Sequence, residues 1–386
     1  MQVTSFHAPS AMPPVPAEAV DHPTLSAALR QSFHAGDAWR AVSVSDRLLE
    51  GFSPTAQDLA MRGEALRHVR APWRAAVELL ASRYMSALEG KPEASWVAEG
   101  LAVLHAELSV VARPMPDDVL DVIDARSGVP GVGRPVIEAL SALPHDQAHA
   151  LSARTALLAL VEGDASEARE AATAALALRP DDMTTFVVHA MASADQEDGL
   201  DHLEEAWRRM VFGPVDATDR QLDRLGRRLG AVSQQALVTR RLEALADRGF
   251  HEERLAVAEE ALSTMPWSLS IGMQRGNAYR ALGRFMEAVR AFDAVVHTAV
   301  EEGIADDPRV LRTRYLRAAA KAEGGDRNGA LRELGKVIEA NSDFIEDALT
   351  DEAFVSLRDN RQFQVLCEGT LGALAAGSRA GFRMAV

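Results

Sequence analysis

The sequence predicts an all-α fold, a superhelical array of antiparallel helix-turn-helix repeats. Gly249 aligns with Gly283, 34 residues later, and each copy of this pattern consists of two short amphipathic helices separated by one glycine. Hydrophobic residues make up 47% of the chain, whereas aromatic residues make up only 5%. Closely packed, alanine-rich helices have this composition, and a β-sandwich does not. A period of this length indicates helical hairpins that stack side by side.

The best copy of the repeat resembles a known family at six positions. They are Gly276, Tyr279, Gly283, Ala288, Phe292 and the preceding Pro266. These residues resemble the tetratricopeptide repeat family, although Gly272 occupies the place where that family usually carries tryptophan. The resemblance implies a bacterial-type array that ends in a capping segment and binds a protein or peptide in a concave groove.

Taken in order, the chain is expected to have five segments. Prolines 9, 13, 14 and 16 lie among small residues at the start, a composition that does not favour a packed core. Prolines and glycines cluster again between positions 128 and 135, which we interpret as a domain boundary and a connecting turn. The segments are a flexible leader (1–20), partly degenerate N-terminal helical repeats (21–127), middle repeats (134–232), C-terminal repeats with capping helices (233–366) and a tail (367–386).

Weaker copies of the repeat precede the best one. In the N-terminal segment Gly36 is followed five residues later by Ala41, and Ala75 comes 34 residues after Ala41. The middle segment repeats the pattern with Gly163 and Ala168. Small residues at these spacings allow two helices to approach closely.

The end of the array is predicted to be covered. The segment from Asp351 to Leu366 resembles the terminal helices of this family, and Phe354, Leu357 and Phe363 would pack over the last hairpin. Cys367 lies in an apolar helix end, where a buried thiol is expected rather than a nucleophile.

Composition narrows the functions that the chain can have. A net charge of −15 argues against binding nucleic acid through its phosphate backbone. A single cysteine excludes an internal disulfide and a cysteine-cluster zinc site. No stretch is apolar enough for a membrane span, and the start has no export signal. We therefore expect a cytoplasmic protein without cofactor or metal.

The resemblance also identifies the positions that would line the groove, on the first helix of each pair. They are Thr239 and Glu243 in one repeat, Met273, Asn277 and Arg280 in the next, and Arg312 and Tyr315 in the third. Such a mixture suits an extended peptide, because its donors can hold carboxylates and backbone carbonyls while its apolar groups hold a side chain. The alternative is a hydrophilic surface with no dedicated ligand.

The corresponding positions of the middle repeats are apolar. They are Ala150, Ala153, Leu157, Val187 and Met191. Another helix or a second copy of the chain could cover this wall, so a homo-oligomer is a further expectation.

Three functions compete. The first is a non-catalytic adaptor that binds a protein segment in its groove. The second is an enzyme that uses the repeats to recruit its substrate and has a site between residues 91 and 149, where His145 and His149 would share one helical face as two metal ligands do. The third is a peptide-sensing regulator. No catalytic motif supports the enzyme, and the short Asp146 replaces the glutamate of the metalloprotease pattern, so the adaptor is preferred.

Overall fold

The computed structural model describes residues 21–110, 114–212, 220–305 and 307–367. The predicted leader and all of the predicted tail except Cys367 lie outside these residues. The described residues form helices and turns and contain no β-strand, so the all-α fold class is confirmed. The chain divides into two compact units. Unit 1 comprises residues 1–193 and 208–233, and unit 2 comprises residues 194–207 and 234–386.

Unit 1 is built from helical pairs and some additional helices. Its helices are α1 (His22–His34), α2 (Ala38–Gly51), α3 (Ala56–His68), α4 (Pro72–Leu88), α5 (Ser95–Val110), α6 (Asp117–Ser127), α7 (Gly133–Ser141), α8 (Ala148–Val161), α9 (Ala165–Leu178), α10 (Met183–Ala192) and α12 (Arg220–Arg228). The pairs α1/α2, α3/α4 and α8/α9 pack as hairpins. Helix α11 (Gly199–Phe212) contributes residues to both units.

Unit 2 continues the hairpin pattern. Its helices are α13 (Gln234–Asp247), α14 (His251–Thr264), α15 (Leu269–Ala281), α16 (Phe285–Glu301), α17 (Pro308–Glu323), α18 (Arg327–Ala340) and α19 (Phe344–Thr350). A 3-10 helix (Glu352–Leu357) and helical residues 361–367 follow. Each helix from α13 to α18 packs against the next one in the chain. The first helices of successive pairs, α13, α15 and α17, also contact one another in order.

The hairpin turns follow from local sequence. Gly36, Gly163, Gly249, Gly283 and Gly325 have φ between 70° and 86°, a left-handed conformation that glycine adopts without steric cost. Three of these glycines precede an aspartate that caps the second helix, namely Asp37, Asp164 and Asp326. A left-handed residue therefore ends one helix, and in these three hairpins a side-chain cap starts the next.

Close contacts between the paired helices depend on small residues. Five residues after each turn, Ala41, Ala75, Ala168, Ala288 and Ala330 are completely buried. In the best repeat, a Cβ added at Gly276 would lie 2.3 Å from Cε1 of Phe292, so only glycine fits there. A Cβ at Gly272 would lie 2.5 Å from Cγ2 of Val295, which explains the missing tryptophan.

The core of unit 1 continues through the predicted boundary between residues 127 and 134. Val132 and Val136 belong to the same buried cluster as Leu79 and Leu151. The glycines and prolines of this region join α6 to α7 within one core.

The last hairpin of unit 2 is covered by the segment that follows it. Phe354, Leu357 and Phe363 are buried at 0%, 0% and 1% exposure and pack in one cluster with Leu334 and Val337 of α18. Cys367 is buried in the same cluster, as expected for a structural thiol.

Candidate functional site

The predicted groove residues lie on α13, α15 and α17. We call the side of these helices that carries Thr239, Glu243, Met273, Asn277, Arg280 and Arg312 the first-helix face. Helix α15 packs closely on α16 through Gly272 and Gly276, which lie against Val295 and Phe292. Residues three and four positions apart share a helical face, so Met273, Asn277 and Arg280 form one stripe along α15.

Asn277 is the polar residue of this stripe that has no side-chain partner among the described residues. Its side chain is half-buried, and within the described part of the chain its amide makes no hydrogen bond. An amide both donates and accepts, so it can form two hydrogen bonds with one peptide unit. Met273, one turn earlier, is also half-buried and packs against two apolar clusters that contain Phe292 and Val295. The pair thus offers an amide beside an adaptable apolar surface.

Arg280 is already paired with a carboxylate of this chain. Its Nε and Nη2 donate to Glu323 of α17 at 2.6 and 3.0 Å, a bidentate geometry. Burial lowers the pKa of Arg280, but the hydrogen bonds and charge of Glu323 more than offset it and leave the pKa raised. A ligand carboxylate would have to displace Glu323 to bind there.

Arg312 is paired too, but through a single hydrogen bond and from an exposed side chain. Its Nη1 donates to Oδ2 of Asp347 at 2.6 Å, and its guanidinium lies 4.9 Å from the centre of the Tyr315 ring. The two predicted cations of the groove therefore bridge α15 to α17 and α17 to α19, instead of facing an open surface unpaired.

Tyr315 differs from the other predicted groove residues, because it is 1% exposed and belongs to the core. Its ring stacks on Phe344 at 5.2 Å and meets Phe354 edge to face. The hydroxyl donates to Oδ2 of Asp351 at 3.0 Å. Burial raises the pKa of Tyr315, and the charge of Asp351 raises it further. The capping segment thus covers the position where the sequence predicted a ligand contact.

The two predicted residues of α13 lie more in the open. Thr239 is half-buried, whereas Glu243 is exposed and lies 3.8 Å from Arg240. Helix α13 is joined to the preceding segment of unit 2 by Arg240, which donates to Asp195 at 2.9 Å. Four of the seven predicted positions neither form an ion pair with another helix nor lie buried in the core. They are Thr239, Glu243, Met273 and Asn277.

The carboxylates that neutralise the groove cations were missed by the sequence reasoning. Glu323 ends α17, and Asp347 and Asp351 belong to the segment after the last hairpin. The repeat register could have indicated Glu323. Within the α17/α18 repeat, Glu323 lies next to the position that corresponds to Arg280 in the α15/α16 repeat. No register applies to Asp347 and Asp351, which lie outside the repeats.

The apolar wall of the middle repeats is covered from within unit 1. Ala150, Ala153, Leu157 and Val187 are at most 5% exposed, and Met191 is half-buried. Helix α12 packs against α8 and α10, and a Cβ at Gly226 would lie 3.8 Å from Cδ1 of Leu157. The sequence left open whether another helix or a second copy of the chain covers this wall. In the structure a helix, α12, packs on it.

His145 and His149 do not share a helical face, which corrects the expectation for a metal pair. Helix α8 begins at Ala148, so His145 precedes it, and its Nδ1 accepts a hydrogen bond from the Gln147 backbone at 3.2 Å. His149 is buried, with Nε2 3.0 Å from Oδ2 of Asp182. Asp146 accepts from the Met115 backbone at 2.9 Å. All three side chains hold this part of unit 1 together.

Two kinds of feature are absent from the described residues. Across residues 21–110, 114–212, 220–305 and 307–367, no three or more His, Cys, Asp or Glu side chains group as metal ligands do. In the same ranges, each helix is too short or too polar to cross a bilayer.

Comparison with known proteins gave structural neighbours only. No family model matches the chain, and no curated protein matches it. A monomeric IFIT1 mutant with Gppp-AAAA is 12% identical with a TM-score of 0.40, over 89% of this chain and 80% of the neighbour. The human IFIT1 dimer with PPP-AAAA is 12% identical with a TM-score of 0.39, over 89% and 79%. The P58(IPK) TPR domain is 13% identical with a TM-score of 0.28, over 93% and 99%. TM-scores below 0.5 carry no inference about ligand or function.

Proposed function

We propose that this chain is a non-catalytic adaptor of the cytoplasm that binds an extended segment of a protein partner along the first-helix face. The observation that supports this most directly is the half-buried amide of Asn277, which has no partner within the described residues. The amide of Asn277 is partly open to water, and a bound peptide backbone would replace that water with both a donor and an acceptor.

The surroundings of Asn277 define what such a segment would meet. Met273 provides an apolar contact on one side, and Glu243 is an exposed carboxylate on the neighbouring helix α13. Arg280 and Arg312 are held by Glu323 and Asp347, so they act in this proposal as struts between helices. The ligand would therefore be recognised by its backbone and by an apolar side chain.

The net charge of −15 favours a protein partner over nucleic acid. The enzyme alternative loses its motivation, because His145 and His149 lie in different local structures. No observation favours the regulator, and the homo-oligomer stays a prediction.

The test starts from peptides selected on the full chain out of a library of random displayed dodecapeptides. Asn277→Ala is expected to weaken the best peptide about tenfold, the effect of losing one or two hydrogen bonds. The midpoint of thermal unfolding should not change, because the Asn277 amide bonds to none of the described residues. Fluorescence anisotropy would give the affinity and circular dichroism the midpoint.

Asn328→Ala, at an exposed asparagine near the start of α18, is the matched control and should bind like the unmodified chain. Selection of no peptide, or equal binding by the Asn277 and Asn328 variants, would contradict the proposal. A combined substitution of Asn277, Arg280 and Arg312 is less informative, because the two arginines also hold α17 to its neighbours.

A further inference from the structure

One hairpin with a left-handed turn lacks the buried alanine that five others carry. Five residues after each left-handed turn, five hairpins carry a completely buried alanine, at Ala41, Ala75, Ala168, Ala288 and Ala330. The hairpin of α13 and α14 turns at Gly249 and carries Arg254 at the same place. An arginine thus lies at a helix contact where the five other hairpins have an alanine.

Arg254 is buried without a counter-ion. It is 8% exposed, and within the described residues no carboxylate oxygen lies within 4 Å of its guanidinium. Nη2 donates to Oε1 of Gln274, and Nε has no hydrogen-bond partner. Other buried arginines of the chain are paired, since Arg154 binds Asp124 and Arg62 binds Glu78. A buried charge without a partner is costly, so its presence calls for a reason.

Nearby carboxylates do not neutralise it. Burial lowers the pKa of Arg254, and Asp247 and Glu243 raise it only partly, so the pKa stays below its ordinary value. Both carboxylates are on exposed side chains of α13, where water screens them. The guanidinium thus has unused capacity to bind an anion.

The position of Arg254 connects it to the first-helix face. Its guanidinium bonds Gln274, which follows Met273 on α15 and lies three positions before Asn277. Residues three positions apart are neighbours on a helix. A ligand that bonds its backbone to Asn277 therefore passes one helical turn from the residue that Arg254 holds.

We propose that Arg254 receives one acidic side chain, Asp or Glu, of the segment bound on the first-helix face. This inference rests on the function proposed above and adds the ligand's charge to it. The carboxylate would take the place of Gln274 at the guanidinium and supply the missing acceptor. Arg280 and Arg312 already hold carboxylates of this chain, whereas none of the described carboxylates pairs with Arg254.

The experiment uses the same dodecapeptide selection on the full chain. The unmodified chain should enrich peptides with Asp or Glu at one fixed position. Arg254→Ala, which restores the alanine of the other hairpins, should lose that preference, and so should Arg254→Met, which keeps the length of the side chain. Arg290→Ala, at an exposed arginine of α16, is the control and should keep it.

A double-mutant cycle then isolates the pair. Replacing the peptide's acid by its amide should weaken binding to the unmodified chain about tenfold, and should change nothing with Arg254→Ala. Thermal midpoints of the Arg254 variants should equal or exceed that of the unmodified chain, because an unpaired buried cation has been removed.

An enriched motif without a fixed acid, or equal effects of the amide on both chains, would overturn the role of Arg254 while leaving the adaptor function standing. Selection of no peptide would contradict both. If the Arg254 variants do not fold, the unmodified chain still tests the proposal. Equal affinity of the acid peptide and its amide for this chain would show that Arg254 does not pair with the acid.

Discussion

At the scale of single residues, the turn positions differ in one place. Arg70 turns between α3 and α4 with φ of 64°, in the left-handed region where five equivalent turns carry glycine. A side chain in this region costs about 1–2 kcal/mol, because its Cβ approaches the following carbonyl oxygen. Arg70 is exposed, so nothing in the packing around its side chain offsets that cost.

Arg70→Gly is therefore expected to be more stable than Arg70→Ala by about 1 kcal/mol, since glycine avoids the clash and alanine does not. Urea unfolding followed by circular dichroism would measure the difference. Comparing the two variants removes the effect of losing the arginine side chain. Equal stability, or a more stable alanine variant, would mean that the turn carries no strain.

At the scale of elements, the capping segment is coupled to α17 through Tyr315. The ring of Tyr315 packs between Phe344 and Phe354, and its hydroxyl binds Asp351 at the start of the 3-10 helix. Burial, with the help of Asp351, raises the pKa of this hydroxyl above its ordinary value. The protonated phenol is thus part of what holds the cap.

Alkaline pH is expected to weaken unit 2 through this group. Because the pKa is higher in the folded chain, the contribution of Tyr315 to stability is complete below about pH 10, the ordinary value, and is lost as the pH rises above it. The thermal midpoint of the unmodified chain should fall more steeply between pH 9 and pH 11 than that of Tyr315→Phe.

Asp351→Asn should give an intermediate slope, because it removes the carboxylate and leaves the burial. Parallel slopes for the unmodified chain and Tyr315→Phe would show that the cap does not depend on this proton.

At the scale of the whole molecule, unit 1 is held by ions as well as by apolar packing. Glu78 of α4 is completely buried and accepts from Nε of Arg62 at 3.0 Å and from Nε of Arg126 at 2.8 Å. Arg154 of α8 pairs with Asp124 of α6 at 2.7 Å. These contacts join α3, α4, α6 and α8 within one core.

Glu78→Gln is expected to destabilise unit 1 by about 3–5 kcal/mol, because it leaves the buried Arg126 with a neutral partner and Arg62 with only the exposed Asp46. Glu89→Gln, in an exposed pair with Lys91, should change stability by less than about 1 kcal/mol. Hydrogen exchange of residues 21–110 would locate the loss and urea unfolding would measure it. A loss below 1 kcal/mol for Glu78→Gln would show that the two arginines rearrange at little cost.

The parts of this molecule that the sequence predicted are the local ones. Turn glycines such as Gly249 and Gly283, and the helical stripe of Met273 and Asn277, follow from a period of 34 residues and from helix geometry. The partners of charged side chains did not follow, because they come from distant segments. Arg126 is 48 positions from Glu78, and Arg228 donates to the Asp124 carbonyl 104 positions away.

The same limit explains the errors at the candidate site. Register placed Arg280 and Tyr315 on the expected helices, and it could have indicated Glu323, which neutralises Arg280. It does not apply to Asp351, which binds Tyr315 from outside the repeats. The burial of Arg254 was also missed, because a charged residue at a repeat position reads as exposed until its neighbours are known.

Contacts between successive helices from α13 to α18 have a consequence for how such a chain can change length. The turn glycines of the α13/α14 and α15/α16 hairpins, Gly249 and Gly283, are 34 positions apart, so duplicating a hairpin of that length would keep the following helices in register. The new copy would bring its own turn glycine. It would extend the binding surface by one stripe of side chains and would not require a new hydrophobic core.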